Sequence, residues 1–151
     1  MTTADHDVTT VVLAQHEDVT RRLARVANAT GAERSDEFAS LAALLTAHET
    51  AEQSVIYPAL RKLGSEGTRI ADERTSEESA AKDTLTKLEA MNTGSAEFET
   101  LFNEFSAKVH AHAASEQAQV IPLLTSSIAP EDRQTMGADF LAAQQGAPST
   151  R

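Results

Sequence analysis

Apolar residues recur every three or four positions over four long stretches of this chain, the spacing that lays a single stripe along a helix. The first stretch is expected from about Asp7 to Ala29, capped by Asp5, with Val12, His16, Val19, Leu23 and Val26 on its stripe. The second runs from near Asp36 to about Leu63 and carries Leu41, Leu45, His48, Glu52, Val55 and Ala59. The third covers about Arg69 to Met91, stops at Asn92 to Gly94, and shows Glu78, Ala81, Leu85 and Leu88. The fourth begins after Ser95 and ends near Ser127, with Leu101, Phe105, Val109, His112, Glu116 and Leu123 in line. A shorter fifth helix, about Glu131 to Gln144, follows Pro130 and offers Met136, Phe140 and Leu141 for docking. Residues 1–145 are expected to form one domain, and Gly146 to Arg151 a disordered tail.

Gly and Pro are few and fall mainly between these stretches, so the expected class is all-α. Short links make successive helices antiparallel, which gives an up-down-up-down four-helix bundle with the fifth helix closing one end. Polar residues interrupt the stripes at His16, His48, Glu52, Glu78, His112 and Glu116. At about 1.5 Å of rise per residue, antiparallel packing brings these interruptions to nearly the same height. They therefore read as one polar layer across the bundle.

Part of that layer is written twice. His48, Glu52 and Pro58 recur at the same spacing as His112, Glu116 and Pro122. Each His–Glu pair is four residues apart and shares a helix face. Laying the first two helices over the next two matches His16 with Glu78. Imidazole with carboxylate is a donor set for a borderline or hard divalent metal. Doubled on facing helices, it suits two metal ions, with one or both of Glu52 and Glu116 bridging them.

Composition narrows the choice. The chain of 151 residues has no cysteine, which removes disulfides, thiolate zinc sites and iron–sulfur clusters. A net charge of −10 argues against nucleic acid or an anionic lipid surface as partner, and 40% apolar residues leave no membrane span. The opening MTTADHDVTT has neither the basic start nor the apolar run of a signal peptide, so the expected compartment is the cytoplasm.

These residues resemble the hemerythrin-like, or HHE cation-binding, family, specifically a bacterial single-domain type with a tyrosine before the proline of the second helix. The matching features are an isolated His16, then His48, Glu52, Tyr57 and Pro58, then His112, Glu116 and Pro122, over about residues 5 to 127. Ferritin-like proteins fit less well, since their Glu-x-x-His motif is absent here. The resemblance implies a four-helix bundle around two iron ions, oxo- or hydroxo-bridged and without heme, that handles dioxygen, peroxide or nitric oxide. It also implies Tyr57 as a further metal ligand or tuning residue, beside His16, His48, Glu52, Glu78, His112 and Glu116.

The departure is in the third helix, where oxygen carriers of the family place two histidines and this chain has none. Glu78 stands where the main one is expected, and Arg74 or Thr75 where the second is. More negative ligands favour the ferric state, so the expected activity is catalase-like or peroxidase-like decomposition of hydrogen peroxide. The alternatives are reversible binding or sensing of dioxygen or nitric oxide, and iron buffering. The substrate is expected to be small and inorganic, since no pocket for a larger organic molecule is evident, and the protein a monomer or weak dimer. His6 is expected at a frayed terminus, His110 outward or behind the ligands, and Glu73 and Glu77 on a solvated face.

Overall fold

The computed structural model describes residues 6–146. Five helices run through them: α1 (Val8–Asn28), α2 (31–61), α3 (Ser65–Glu89), α4 (96–127) and α5 (Pro130–Gly146). The all-α bundle with a short C-terminal helix is as the sequence predicts, and no strand occurs among the described residues. No helix there is long and apolar enough to cross a membrane.

Local chemistry sets the ends. Asp5 lies outside the described residues, and the cap of α1 is Asp7, whose carboxylate accepts from the Thr9 backbone N–H at 2.9 Å. The other oxygen of Asp7 accepts from Arg133 Nε at 2.9 Å and ties α5 to the start of α1. Ser95 caps α4 by accepting from the Phe98 N–H at 3.0 Å. Helix α2 begins at Gly31, a turn and more before the expected Asp36. The buried Arg34 accounts for the extra turn: its guanidinium donates to the carbonyls of Ala29, Val26 and Ala27 at the end of α1, and to Thr93. Those carbonyls have no partner within their own helix, so the contact satisfies α1 and anchors α2 together.

The apolar interior falls into two halves. One gathers Val8, Val12, Ile56, Leu60, Leu124 and Phe140. The other gathers Val19, Leu23, Leu41, Leu88, Phe98 and Phe105. Between them lie buried His16, His48, Glu52, Glu78 and Glu116.

Both α2 and α4 change their winding at this polar level. A π-helical turn spans Glu52–Ile56 in α2 and Glu116–Val120 in α4. The N–H of Tyr57 bonds to the carbonyl of Glu52, and that of Ile121 to Glu116, five residues back instead of four. The prolines explain the placement. Pro58 and Pro122 follow directly, lack an N–H, and would press their rings against the carbonyl four residues earlier in a regular α-helix. The wider turn relieves that clash. The extra residue also moves the stripe by one position. Val55, Ala59 and Leu123 were expected inside; Ile56, Leu60 and Leu124 are buried instead, with exposures of 1%, 0% and 0%.

The α2–α3 corner depends on two glycines. Gly64 has φ 104°, a conformation that favours glycine. A Cβ on Gly67 would collide with the backbone carbonyl of Leu60. In an open helix, Gly→Ala adds up to about 1 kcal/mol. Gly67→Ala is expected to do the reverse and remove about 1–3 kcal/mol, seen as a lower urea midpoint; an unchanged or raised midpoint would show that the helices have room to part.

Candidate metal centre

Four helices deliver one to three donors each to the layer between the core halves. His16 comes from α1, His48, Glu52 and Tyr57 from α2, Glu78 from α3, and His112 and Glu116 from α4. All seven residues singled out in the sequence meet here. His16 Nε2 lies 3.0 Å from Glu116 Oε1, and His48 Nε2 lies 3.0 Å from Glu52 Oε2. His112 Nε2 lies 3.1 Å from Glu78 Oε2 and 3.4 Å from Glu116 Oε2. The donors form two overlapping groups: His16, His48, Glu52 and Glu116; and Glu52, Glu78, His112 and Glu116. Within each group the ligand atoms lie within 4.8 Å of one another. Glu52 and Glu116 belong to both.

Tyr57 reaches this cluster because of the π turn. An ideal helix turns about 100° per residue, so five residues beyond Glu52 its ring would point about 140° away. The added residue returns it to about 40°. The phenol is buried, and its hydroxyl lies 2.7 Å from Glu78, 2.8 Å from Glu116 and 3.3 Å from Glu52.

Burial and neighbouring charge distribute the protons of the metal-free cluster. Burial pushes the His48 imidazole down to about 4, so the ring is neutral at neutral pH. Its Nδ1–H donates to Gln15 Oε1 at 2.8 Å, which leaves Nε2 as an acceptor. Glu52 supplies the matching proton, since burial and then the charge of Glu116 hold its carboxyl well above the usual range. Burial would lower His112, but hydrogen bonds to Glu116, Glu52 and Glu78 outweigh it and hold the ring protonated. Burial likewise opposes ionisation of Glu116, and hydrogen bonds from His112 and His16 overcome it. The Tyr57 phenol is held far above its ordinary value by burial and by Glu52, Glu116 and Glu78. It stays protonated and donates.

A second ring of residues holds the imidazoles. Gln15 exchanges two hydrogen bonds with Gln144 of α5 at 2.8 and 2.7 Å, while Phe140 packs edge-on against His48 with ring centres 5.6 Å apart. Helix α5 therefore supports the site as well as closing the bundle. Gln117 lies 3.1 Å from His16 Nδ1. Glu77 is not merely a solvated side chain: it accepts from His112 Nδ1–H at 2.7 Å and from Arg74 at 2.9 Å. Arg74, one of the two residues at the place expected for a second α3 histidine, is buried and also donates to Gln119 at 2.6 Å. Glu73 stays exposed and pairs with Arg69, and His110 is exposed as expected.

Among known families, the model of the hemerythrin HHE cation-binding domain matches residues 7–124. The chain belongs to the hemerythrin HHE cation-binding family. Comparisons with curated proteins and with solved structures gave no match. A hemerythrin HHE domain binds metal cations, and here the His–Glu cluster provides the donors. The set fits such an ion on its chemistry: imidazole nitrogens, carboxylates and a phenol, buried together, with no thiolate.

Two outcomes follow for this hemerythrin-like layer. In metal-free protein His48 ionises near 6.5 when unfolded but near 4 when folded, so the unfolded chain binds the extra proton between those values. Stability is thus present above pH 6.5 and falls as pH drops towards 4, on the order of 3 kcal/mol. Urea midpoints across that window should fall less steeply in His48→Asn; identical slopes would remove His48 as the source. Glu77→Gln should weaken metal binding about 10- to 100-fold, measured by competition with a chelator, and unaltered affinity would mean that Glu77 does not support His112.

Proposed function

We propose that this hemerythrin-like centre holds two iron ions and decomposes hydrogen peroxide. His16 and His48 would face one ion, His112, Glu78 and Tyr57 the other, and Glu52 and Glu116 would lie between them. The iron pair would supply two-electron exchange with peroxide. The chain's own residues set the conditions for it. The carboxylates, and the Tyr57 phenol once an iron has displaced its proton, would supply negative charge that favours the ferric form over a reversible oxygen-carrying one. Burial excludes bulk water from all three carboxylates, whose exposure is at most 1%. Gln15 and Glu77 orient His48 and His112 through Nδ1 and leave each Nε2 turned inward.

The observation that carries this reading is the Tyr57 hydroxyl, seated within 3.3 Å of Glu78, Glu116 and Glu52. Freshly purified protein should contain two irons per chain, show a visible phenolate-to-iron band, and evolve oxygen from hydrogen peroxide. Tyr57→Phe should lose the band and slow oxygen evolution about 10- to 100-fold. A band that forms only when reduced protein meets dioxygen, and bleaches on its removal, would replace this reading with reversible binding. Protein without stoichiometric metal but with the same turnover would overturn it.

A further inference from the structure

The polar layer has two unlike sides. On the side of Tyr57, Ile56, Leu60 and Phe140 fill the core. On the other side lies a cavity of about 230 Å³. Its floor is the layer itself, at His16, His48, Glu78 and His112. Its walls come one helical turn further on, from Val19, Leu45, Ala81 and Val109 on the four helices. Lys108 and His110, both exposed, lie at its mouth. Ala81, the small residue among them, leaves the space open where a larger side chain would fill it.

Hydrogen peroxide is little larger than water, which occupies about 30 Å³ in the liquid. The cavity is several times that size. An apolar cavity of about 150 Å³ is already enough to take up benzene. The walls are mainly apolar and reward apolar bulk, with Thr20, Glu49 and Glu77 also lining them, while the floor offers donors and acceptors to one polar end. The carboxylates beneath it disfavour an anion, so the fitting molecule is neutral, with a compact apolar body and a hydroxyl or hydroperoxyl head.

We propose that this cavity is the entry chamber of the centre and that it admits small organic hydroperoxides, R–O–O–H with R about the size of tert-butyl, beside hydrogen peroxide. This rests on the peroxide reading above. The reaction is a mixed dismutation, ROOH + H2O2 → ROH + H2O + O2. The O–O bond of the organic hydroperoxide breaks and accepts two electrons. Hydrogen peroxide gives up those two electrons and its two protons and leaves as dioxygen. The protons pass to the alkoxide and hydroxide oxygens of the broken bond.

The test uses the iron-loaded protein with tert-butyl hydroperoxide and hydrogen peroxide together, and tert-butanol as an unreactive probe. Saturation-transfer NMR should detect tert-butanol binding, and tert-butyl hydroperoxide should be consumed to tert-butanol with one dioxygen released per molecule. Ala81→Phe and, independently, Val109→Phe should each abolish the NMR signal and lower the rate with tert-butyl hydroperoxide at least about tenfold relative to that with hydrogen peroxide, taking about 1.4 kcal/mol per tenfold. Circular dichroism and iron content identify any variant that fails to fold, and the other then decides. Turnover of hydrogen peroxide with neither binding nor consumption of the organic molecules overturns the proposal, as does consumption that both filling variants leave intact. No turnover of hydrogen peroxide by fully loaded protein overturns the peroxide reading and the organic turnover with it; tert-butanol binding then tests the chamber alone.

Discussion

The structure depends on the cost of burying three carboxylates in the middle of a small bundle. Glu52, Glu78 and Glu116 are 0–1% exposed. An unpaired buried charge is strongly destabilising, so each carboxylate must find protons, imidazoles or a cation at its own height. That requirement fixes how far each helix slides along its neighbour. It divides the core into two apolar halves, because only one layer can be polar. It also explains why the supporting contacts come from every direction, with Gln15 and Gln117 behind two imidazoles and Glu77 behind the third.

The two π turns answer the same constraint. A helix that presents His48 and Glu52 inward cannot also present Tyr57 inward in regular winding. One added residue, placed where proline already opposes the regular turn, gives both. The same device in α4 keeps Val120 and Leu124 in the core beyond Glu116. The repeated spacing of Glu and Pro is thus a signal of winding as well as of metal ligation.

Much of this was legible because it is local. Helix identities, the interrupted stripes and six of the seven converging residues follow from side-chain periodicity, which the sequence carries directly; Tyr57 entered through the family resemblance alone. What escaped is tertiary or depends on a change of period. The early start of α2 rests on Arg34 meeting carbonyls of another helix. The burial of Ile56 and Leu124 follows from a winding that a 3.6-residue period does not contain, although Pro58 and Pro122 were its visible sign. Glu77 looked like one more acidic residue on a solvated face, because its partner His112 is on another helix. The cavity could not be read at all, since it is set by how far four helices stand apart around Ala81 and Val109.

The internal repeat makes the two halves of the layer alike in position but not in charge. His16 and His48 are backed by neutral amides, Gln117 and Gln15. His112 is backed by a carboxylate, shares its half with Glu78, and lies near the phenol of Tyr57. A carboxylate behind an imidazole raises its basicity more than an amide does. Arg74 offsets only part of that, because it also spends a donor on Gln119. A cation in the second group would therefore meet more negative charge than one in the first, although Glu52 and Glu116 belong to both groups. The repeated spacing gives the two groups of donors like geometry, and the differences between α1 and α3 make them unequal.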